Sequence, residues 1–441
     1  MDRFFSLVKN EYIKILKKLS TKILLAVLAI SVVGLSGILL VAKHTAQRES
    51  QWFSDTNSYE EDYNNEIEWL KDTKPDGYEA SVKLYEFMID NQIDYSDWRY
   101  DAAISLDGLS EQEMSSYFEV LGKNDWKGYC ELKLKEELSP GEKWAYAYRL
   151  EKGIDFTDEY SKQNAIINSV SGAKDYLQYV GSDESEERTK YEEMAVIGQY
   201  QLDNGIYGNT ADMTSIYETD WSEDGGFWQV FMLTPYLVTV AGMLIIIIAG
   251  GSVASEFHQG TIKFLLINPV KRWKILMSKY FTVITMGFGM IAAVFILSIP
   301  VVGIMHGFDG ISTPYLYISG GEVHSVNSFL IAARNYLVSS VEVVIMASFA
   351  FAISSLIRSS ALAIGASVFL MFAGATVTAI LSQLGQDWAR YLVFANTDLM
   401  SIAQGNSMFP QHTVFFAVMV LVAHMAVFIL TAWDGFTKRS V

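Results

Sequence analysis

Glu256, Gly260, Thr261, Leu265, Pro269 and Arg272 mark the stretch of this 441-residue chain best suited by residue type and spacing to engage another molecule. Small residues, Gly250-Gly251-Ser252-Val253-Ala254-Ser255, lead into Glu256-Phe257-His258-Gln259-Gly260-Thr261 and then Ile262-Lys263-Phe264-Leu265-Leu266-Ile267-Asn268-Pro269. The pattern predicts a helix exit, a short helix broken at Gly260, a restart capped by Thr261, and a stop at Asn268-Pro269. Phe264, Leu265 and Ile267 would be wasted in water, so they need lipid or a protein partner. A basic cluster, Lys271-Arg272-Trp273-Lys274, closes the segment.

Bond-making chemistry finds little support elsewhere. No histidine occurs between Thr45 and Gly226, which excludes imidazole-assisted serine or cysteine nucleophiles there and typical zinc sites. Paired carboxylates could do glycosidase-like chemistry, but with so many acids chance pairs are expected, and binding, gating or shielding is the better reading. No G-x-x-x-x-G-K-[ST] run occurs, so the chain has no phosphate cradle of its own. No catalytic residue and no metal-ligand set is assigned. Two ionisable residues interrupt apolar runs. Glu342 costs roughly 2.5 to 3.5 kcal/mol on insertion scales, so it should face the bundle interior or a cavity. There it binds a cation or cationic substrate, or is tied up by Ser339, Ser340 or a neighbouring subunit. His424 reads as a hydrogen-bonded packing residue.

The elements that position these residues are membrane spans. A bilayer core about 30 Å thick takes about 20 apolar helical residues. Such runs occur at 23–42, 227–250, 280–305, 336–357, 361–381 and 413–431. The fourth and fifth are joined by Arg358-Ser359-Ser360 alone, a tight hairpin. Basic residues set the orientation. Arg3, Lys9, Lys14, Lys17, Lys18 and Lys22 precede the first span; Lys263, Lys271, Arg272, Lys274 and Lys279 follow the second against the lone acid Glu256; Lys438 and Arg439 end the chain. With six spans these places share one side, so both termini and the 251–279 segment are expected in the cytoplasm. Phe4, Phe5, Val8, Tyr12, Ile15, Leu16 and Leu19 recur at helical steps, predicting an amphipathic helix over 1–22 with its apolar face in the inner leaflet.

Charge divides the chain further. Residues 43–226 hold 41 of the 50 acidic residues and 17 basic ones, a net of -24, while the remainder is net +7. The acidic part is read as an extracellular domain between spans one and two. Helical spacing over 78–91, 110–123, 142–152 and 184–202 makes it mainly helical. Ser110 and Ser139, each followed three residues later by glutamate, look like capping boxes. Seventeen of the 24 tyrosines lie here, filling a core thin in aliphatics with their hydroxyls reaching water. The single cysteine, Cys130, precludes a disulfide within the chain. The expected fold is thus an all-α polytopic membrane protein with six transmembrane helices and that domain. Outer loops are expected at 306–335 and 382–412, the latter re-entrant, with a tail at 432–441.

The run from Glu256 through Gly260, Thr261, Leu265 and Pro269 to Arg272, together with Asn10-Glu11-Tyr12 and six spans, resembles the permease subunits of ABC-2 type (type V) ABC transporters. The resemblance covers 1–50 and 227–441; the acidic domain matches nothing. It implies that these six residues form a coupling segment docking on a separate ATPase subunit, with ATP and Mg bound there and no cofactor in this chain. It also implies a second permease copy or similar chain, a lipid environment without nucleic acid, and a bacterial plasma membrane. The implied function is export of amphipathic or hydrophobic cargo, a peptide toxin, antimicrobial peptide or lipophilic drug. Glu342 would line the path. The alternatives are sodium or cation efflux, and an ATP-coupled mechanotransmitter or sensor working through the acidic domain.

Overall fold

The computed structural model describes residues 2–55, 59–181, 185–207, 226–261, 270–403 and 406–438. Six of its helices are long and apolar enough to cross a membrane: Leu19–Thr45, Gly226–His258, Arg272–His306, Ser328–Ile357, Ser360–Gln383 and Val414–Thr437. The chain is a mostly helical, multi-pass membrane protein.

Helix α1 (Asp2–Lys17) is followed after one residue by α2 (Leu19–Asp55), whose 37 residues make it about 55 Å long. That exceeds an apolar bilayer core of about 30 Å, so α2 carries the chain continuously into the acidic domain. The domain is built from α3 (Tyr59–Thr73), α4 (Tyr78–Asp90), α5 (Trp98–Ile104), α6 (Glu111–Gly122), α7 (Trp126–Lys133), α8 (Pro140–Lys152), α9 (Ser161–Tyr176) and α10 (Ser185–Asn204). The expected caps are present. Ser110 and Ser139 accept from the backbone of Glu113 and Glu142, whose carboxylates return to the serine N–H groups. Leu84, Met88, Ile93, Leu106, Met114 and Leu121 form a dry centre ringed by tyrosines. Several tyrosine hydroxyls end inside the protein and not in water: Tyr63 donates to the Ile93 carbonyl at 3.1 Å and Tyr95 to Asp62 at 2.8 Å.

The chain re-enters the bundle through α11 (Gly226–Phe231), α12 (Leu237–Ser252) and the short α13 (Ala254–His258). Next come α14 (Arg272–His306), the antiparallel strands β1 (Tyr315–Ser319) and β2 (Glu322–Val326), and α15 (Ser328–Ile357). Helices α16 (Ser360–Gln383), α17 (Leu399–Ala403) and α18 (Val414–Thr437) complete it. The ribbon corrects the all-α expectation. Tyr315-Leu316-Tyr317-Ile318 and the valines of Glu322–Val326 flank Gly320-Gly321, both at positive φ, as a two-residue hairpin turn requires. Helix α14 also starts eight residues before the expected third span. Its first two turns bury Ile275, Leu276, Ser278 and Lys279, so Lys279 is helical and not on a loop. Apolar runs mark only the lipid-length part of a helix; packing extends it.

Helices α12 and α15 are the most enclosed spans, while α2, α16 and α18 lie at the periphery. The end of the bundle that carries α1, α13 and the α15–α16 turn is termed proximal; the acidic domain and the β-ribbon share the distal end. There α10 packs against both strands. Beneath it Phe227 stacks on Phe231, Trp228 and Phe231 meet Phe329 and Phe295 edge to face, and the Trp228 indole donates to the Gly310 carbonyl at 2.9 Å.

The domain has its own core, so residues 59–204 expressed alone should fold as a soluble helical unit. Leu84→Ala should cost that fragment about 2–5 kcal/mol in denaturant unfolding followed by circular dichroism. Non-cooperative unfolding of the fragment would contradict this reading.

Candidate functional site

Glu256 sits in the first turn of α13 with 1% of its surface exposed. A carboxylate this deep must be neutralised or lose its charge. Its Oε1 accepts from the Lys279 ammonium at 2.6 Å, and also from Lys14 of α1. Lys279, likewise 1% exposed, reaches Glu11 of α1 at 2.9 Å. Two carboxylates and two ammonium groups from three elements thus pair, with the Lys18 ammonium near enough to feel all four. Among the described residues Glu256 Oε2 has no hydrogen-bond partner. Beside the cluster Tyr12 bonds to Thr285, and Val8 and Ile15 are buried. Part of the stripe expected to enter lipid therefore packs on protein, while Phe5, Ile13 and Leu16 remain exposed.

The break between α12 and α13 is occupied by a side chain of α15. In a continuous helix the Ala254 N–H would donate to the Gly250 carbonyl. Here the Ser354 hydroxyl of α15 is inserted between them, accepting from Ala254 N at 3.0 Å and donating to Gly250 O at 2.7 Å. The missing side chain at Gly250 also admits α16 against α12; a Cβ there would lie 2.7 Å from Ile364 Cγ1. Arg358, in the α15–α16 turn with φ 61°, lays its guanidinium 4.2 Å from the Phe257 ring centroid, and Phe257 also meets Phe436 of α18. The start of the segment is held from several sides. Its tip, His258, Gln259 and Gly260, is exposed, and Gly260 adopts φ +69°.

The other expected residues are placed as follows. The Thr261 hydroxyl turns back to the Glu256 carbonyl at 3.4 Å. Whether it caps a following helix concerns residues beyond those described, and Leu265 and Pro269 also lie outside the described residues. Arg272 is exposed on the first turn of α14, without an ion pair among the described residues, so it does not meet Glu256. Glu342 lies toward the distal half of α15, half-buried. Ser340 donates to the Leu337 carbonyl and not to Glu342, and the charge acting on Glu342 is that of Asp398. His424 bonds to the Val420 carbonyl at 2.9 Å, a packing role. Sequence reasoning named Glu11 only within Asn10-Glu11-Tyr12 and Lys14 and Lys279 only as orienting charges, and it did not single out Ser354. Lys279 did carry a signal, as a charge between Met277-Ser278 and Tyr280-Phe281 with no acid nearby in sequence.

The sequence profile of a family described as "Protein of unknown function (DUF2705)" matches residues 205–441. Two proteins of Bacillus subtilis (strain 168) are also similar. "Uncharacterized protein YhcI" is 33% identical over 253 residues, 57% of this chain and 76% of its own length. "Uncharacterized membrane protein YdbK" is 33% identical over 219 residues, 49% of this chain and 85% of its own. The chain belongs to the DUF2705 family. No solved structure matches it. The DUF2705 match takes in Glu256, Lys279 and Ser354 and leaves out α1 to α10.

Removing one member of a buried ion pair strands its partner. Lys279→Met should therefore destabilise the protein by about 3–5 kcal/mol in mixed-micelle unfolding, and Glu256→Leu by a similar amount. The double variant, which leaves Glu11 and Lys14 to pair, should lose markedly less than the sum. Additive losses would show that the two residues do not interact.

Proposed function

We propose that this chain is the permease subunit of an ATP-driven exporter of the ABC-2 type, with ATP hydrolysed by a separate subunit that docks on the proximal segment. The observation that carries this reading is the construction around Glu256. A short helix is broken out of a span, its root is fixed by buried charge to α14 and α1, and its tip is presented beyond the bundle. Such a lever suits transmission of a partner's motion to spans two and three. A rigid root prevents the force from being lost in the loop, and the exposed tip gives the partner access. On this reading Glu256 acts as an anchor, and Arg272, Leu265 and the tip supply the contact.

The basic residues at the proximal end put that end in the cytoplasm by the positive-inside rule, and the acidic domain outside. Two such permeases, or this chain with a similar one, would enclose the path. Cargo is proposed to be amphipathic or hydrophobic. Glu342, which has no bonding partner among the described residues, is a candidate contact for a cationic portion of it.

The test is purification of the chain from its native membrane in mild detergent. An ABC ATPase should accompany it, and Arg272→Ala should abolish stimulation of that ATPase while leaving thermal stability unchanged. Glu256→Gln should lose both. If no ATPase is retained under conditions that preserve the fold, or if Arg272→Ala retains full stimulation, this assignment fails.

A further inference from the structure

Between α16 and α18 the chain folds back on the distal end of the bundle in short turns, and one histidine ties the two halves of that excursion together. His412 Nε2 lies 2.9 Å from Asn396 Oδ1, and its Nδ1 lies 2.8 Å from the Ser407 hydroxyl. Asn396 is fully buried and its Nδ2 donates to two main-chain carbonyls, Arg390 at 2.9 Å and Leu392 at 2.7 Å. Carbonyl oxygens only accept, so the amide nitrogen faces them and Oδ1 faces the ring. The Nε2 atom therefore carries the proton, and Nδ1 accepts from Ser407. The Ser407 oxygen in turn accepts the Phe409 N–H at 3.3 Å. Every member is satisfied with the imidazole neutral, and a second ring proton would displace the Ser407 donor from its only acceptor in the hub.

The charge around the hub opposes that second proton. Arg390, on the turn formed by Asp387–Tyr391, is the charged group acting on His412. Its Nε is buried and has no hydrogen-bond partner among the described residues. From α18 the ring is met by Phe416, and from its own stretch by Phe409; neither titrates. Asp398 bonds to Ser401, and neither it nor Glu342 is among the charges acting on the ring. Burial first, and then Arg390, hold the imidazole below its ordinary range.

We propose that His412 is a pH-sensitive latch: its neutral ring pins residues 387–396 to 406–413 across the distal end of the bundle, and protonation releases them. The sign follows from linkage. A histidine with a depressed pKa in the latched state takes up its proton more readily once released. The latch is therefore intact above about pH 6.5, the ordinary histidine value, and weakens progressively below it. Opening should gain up to about tenfold in equilibrium constant for each unit by which the latched pKa is depressed. This inference does not depend on what the protein transports.

The test places a cysteine at buried Ala389 and measures maleimide labelling in native membranes from pH 7.5 to 5.0, each rate divided by that of the same unfolded protein at the same pH. The normalised rate should rise as pH falls. His412→Gln, which cannot titrate, should abolish the pH dependence. Arg390→Gln, which removes the opposing charge and so lessens the depression, should shrink the acid-driven rise. A flat profile in the native protein, or the same rise in His412→Gln, overturns the proposal. If His412→Gln is labelled freely at every pH, Arg390→Gln decides: a rise as large as in the native protein overturns it.

Discussion

Lys279 is where the fold commits itself. An ammonium group with almost no access to solvent, two turns into a 35-residue helix, has to be met by negative charge, and the structure brings that charge from two directions. Glu11 comes from the N-terminal helix and Glu256 from the break after α12. Neither acid would be drawn to this spot by apolar packing. Because unpaired charge in such a place costs several kcal/mol, the position of α1 and that of α13 are each conditional on the lysine, and through it on each other. Lys14 completes the pairing while keeping part of its own chain in solvent.

That electrostatic demand would be useless without room for it. Helices α12, α15 and α16 approach closely through Gly250 and a row of buried serines, and Ser354 uses that proximity to take over a main-chain hydrogen bond of its neighbour. The exchange is nearly neutral in hydrogen-bond terms, since one interrupted main-chain bond becomes two bonds to a hydroxyl. Its effect is geometric: the chain after Gly250 leaves the axis of α12 and swings Glu256 toward Lys279. At the other end of the molecule the bundle is closed by aromatic stacking and by the hydrogen-bonded hub at His412. The two ends are thus secured by different physics.

Much of the architecture was readable in the residue order, since hydropathy has only one way to hide about 20 consecutive apolar residues from water. The capping boxes at Ser110 and Ser139 were equally local and equally plain. Glu256 stood out because an acid before a glycine, a proline and a basic cluster is unusual at the edge of a span. Its partners did not stand out. Lys279 and Lys14 look like the topological charges that flank any span, and separations of 23 and 242 residues leave no periodic trace. Ser354 is one of many serines in its helix. The ribbon at 315–326 was missed because a short hairpin in a chain of helices makes a weak signal even with a Gly-Gly turn.

The central claim is that α1 and the segment rooted at Glu256 form one rigid unit through Lys279. The most direct check is a pulsed electron–electron distance measurement between spin labels at Lys9 and Gln259, both exposed, with the protein in a lipid bilayer. A single narrow distance that broadens on Lys279→Met is the predicted result. A broad distribution in the native protein, or a narrow one indifferent to Lys279→Met, would contradict the account.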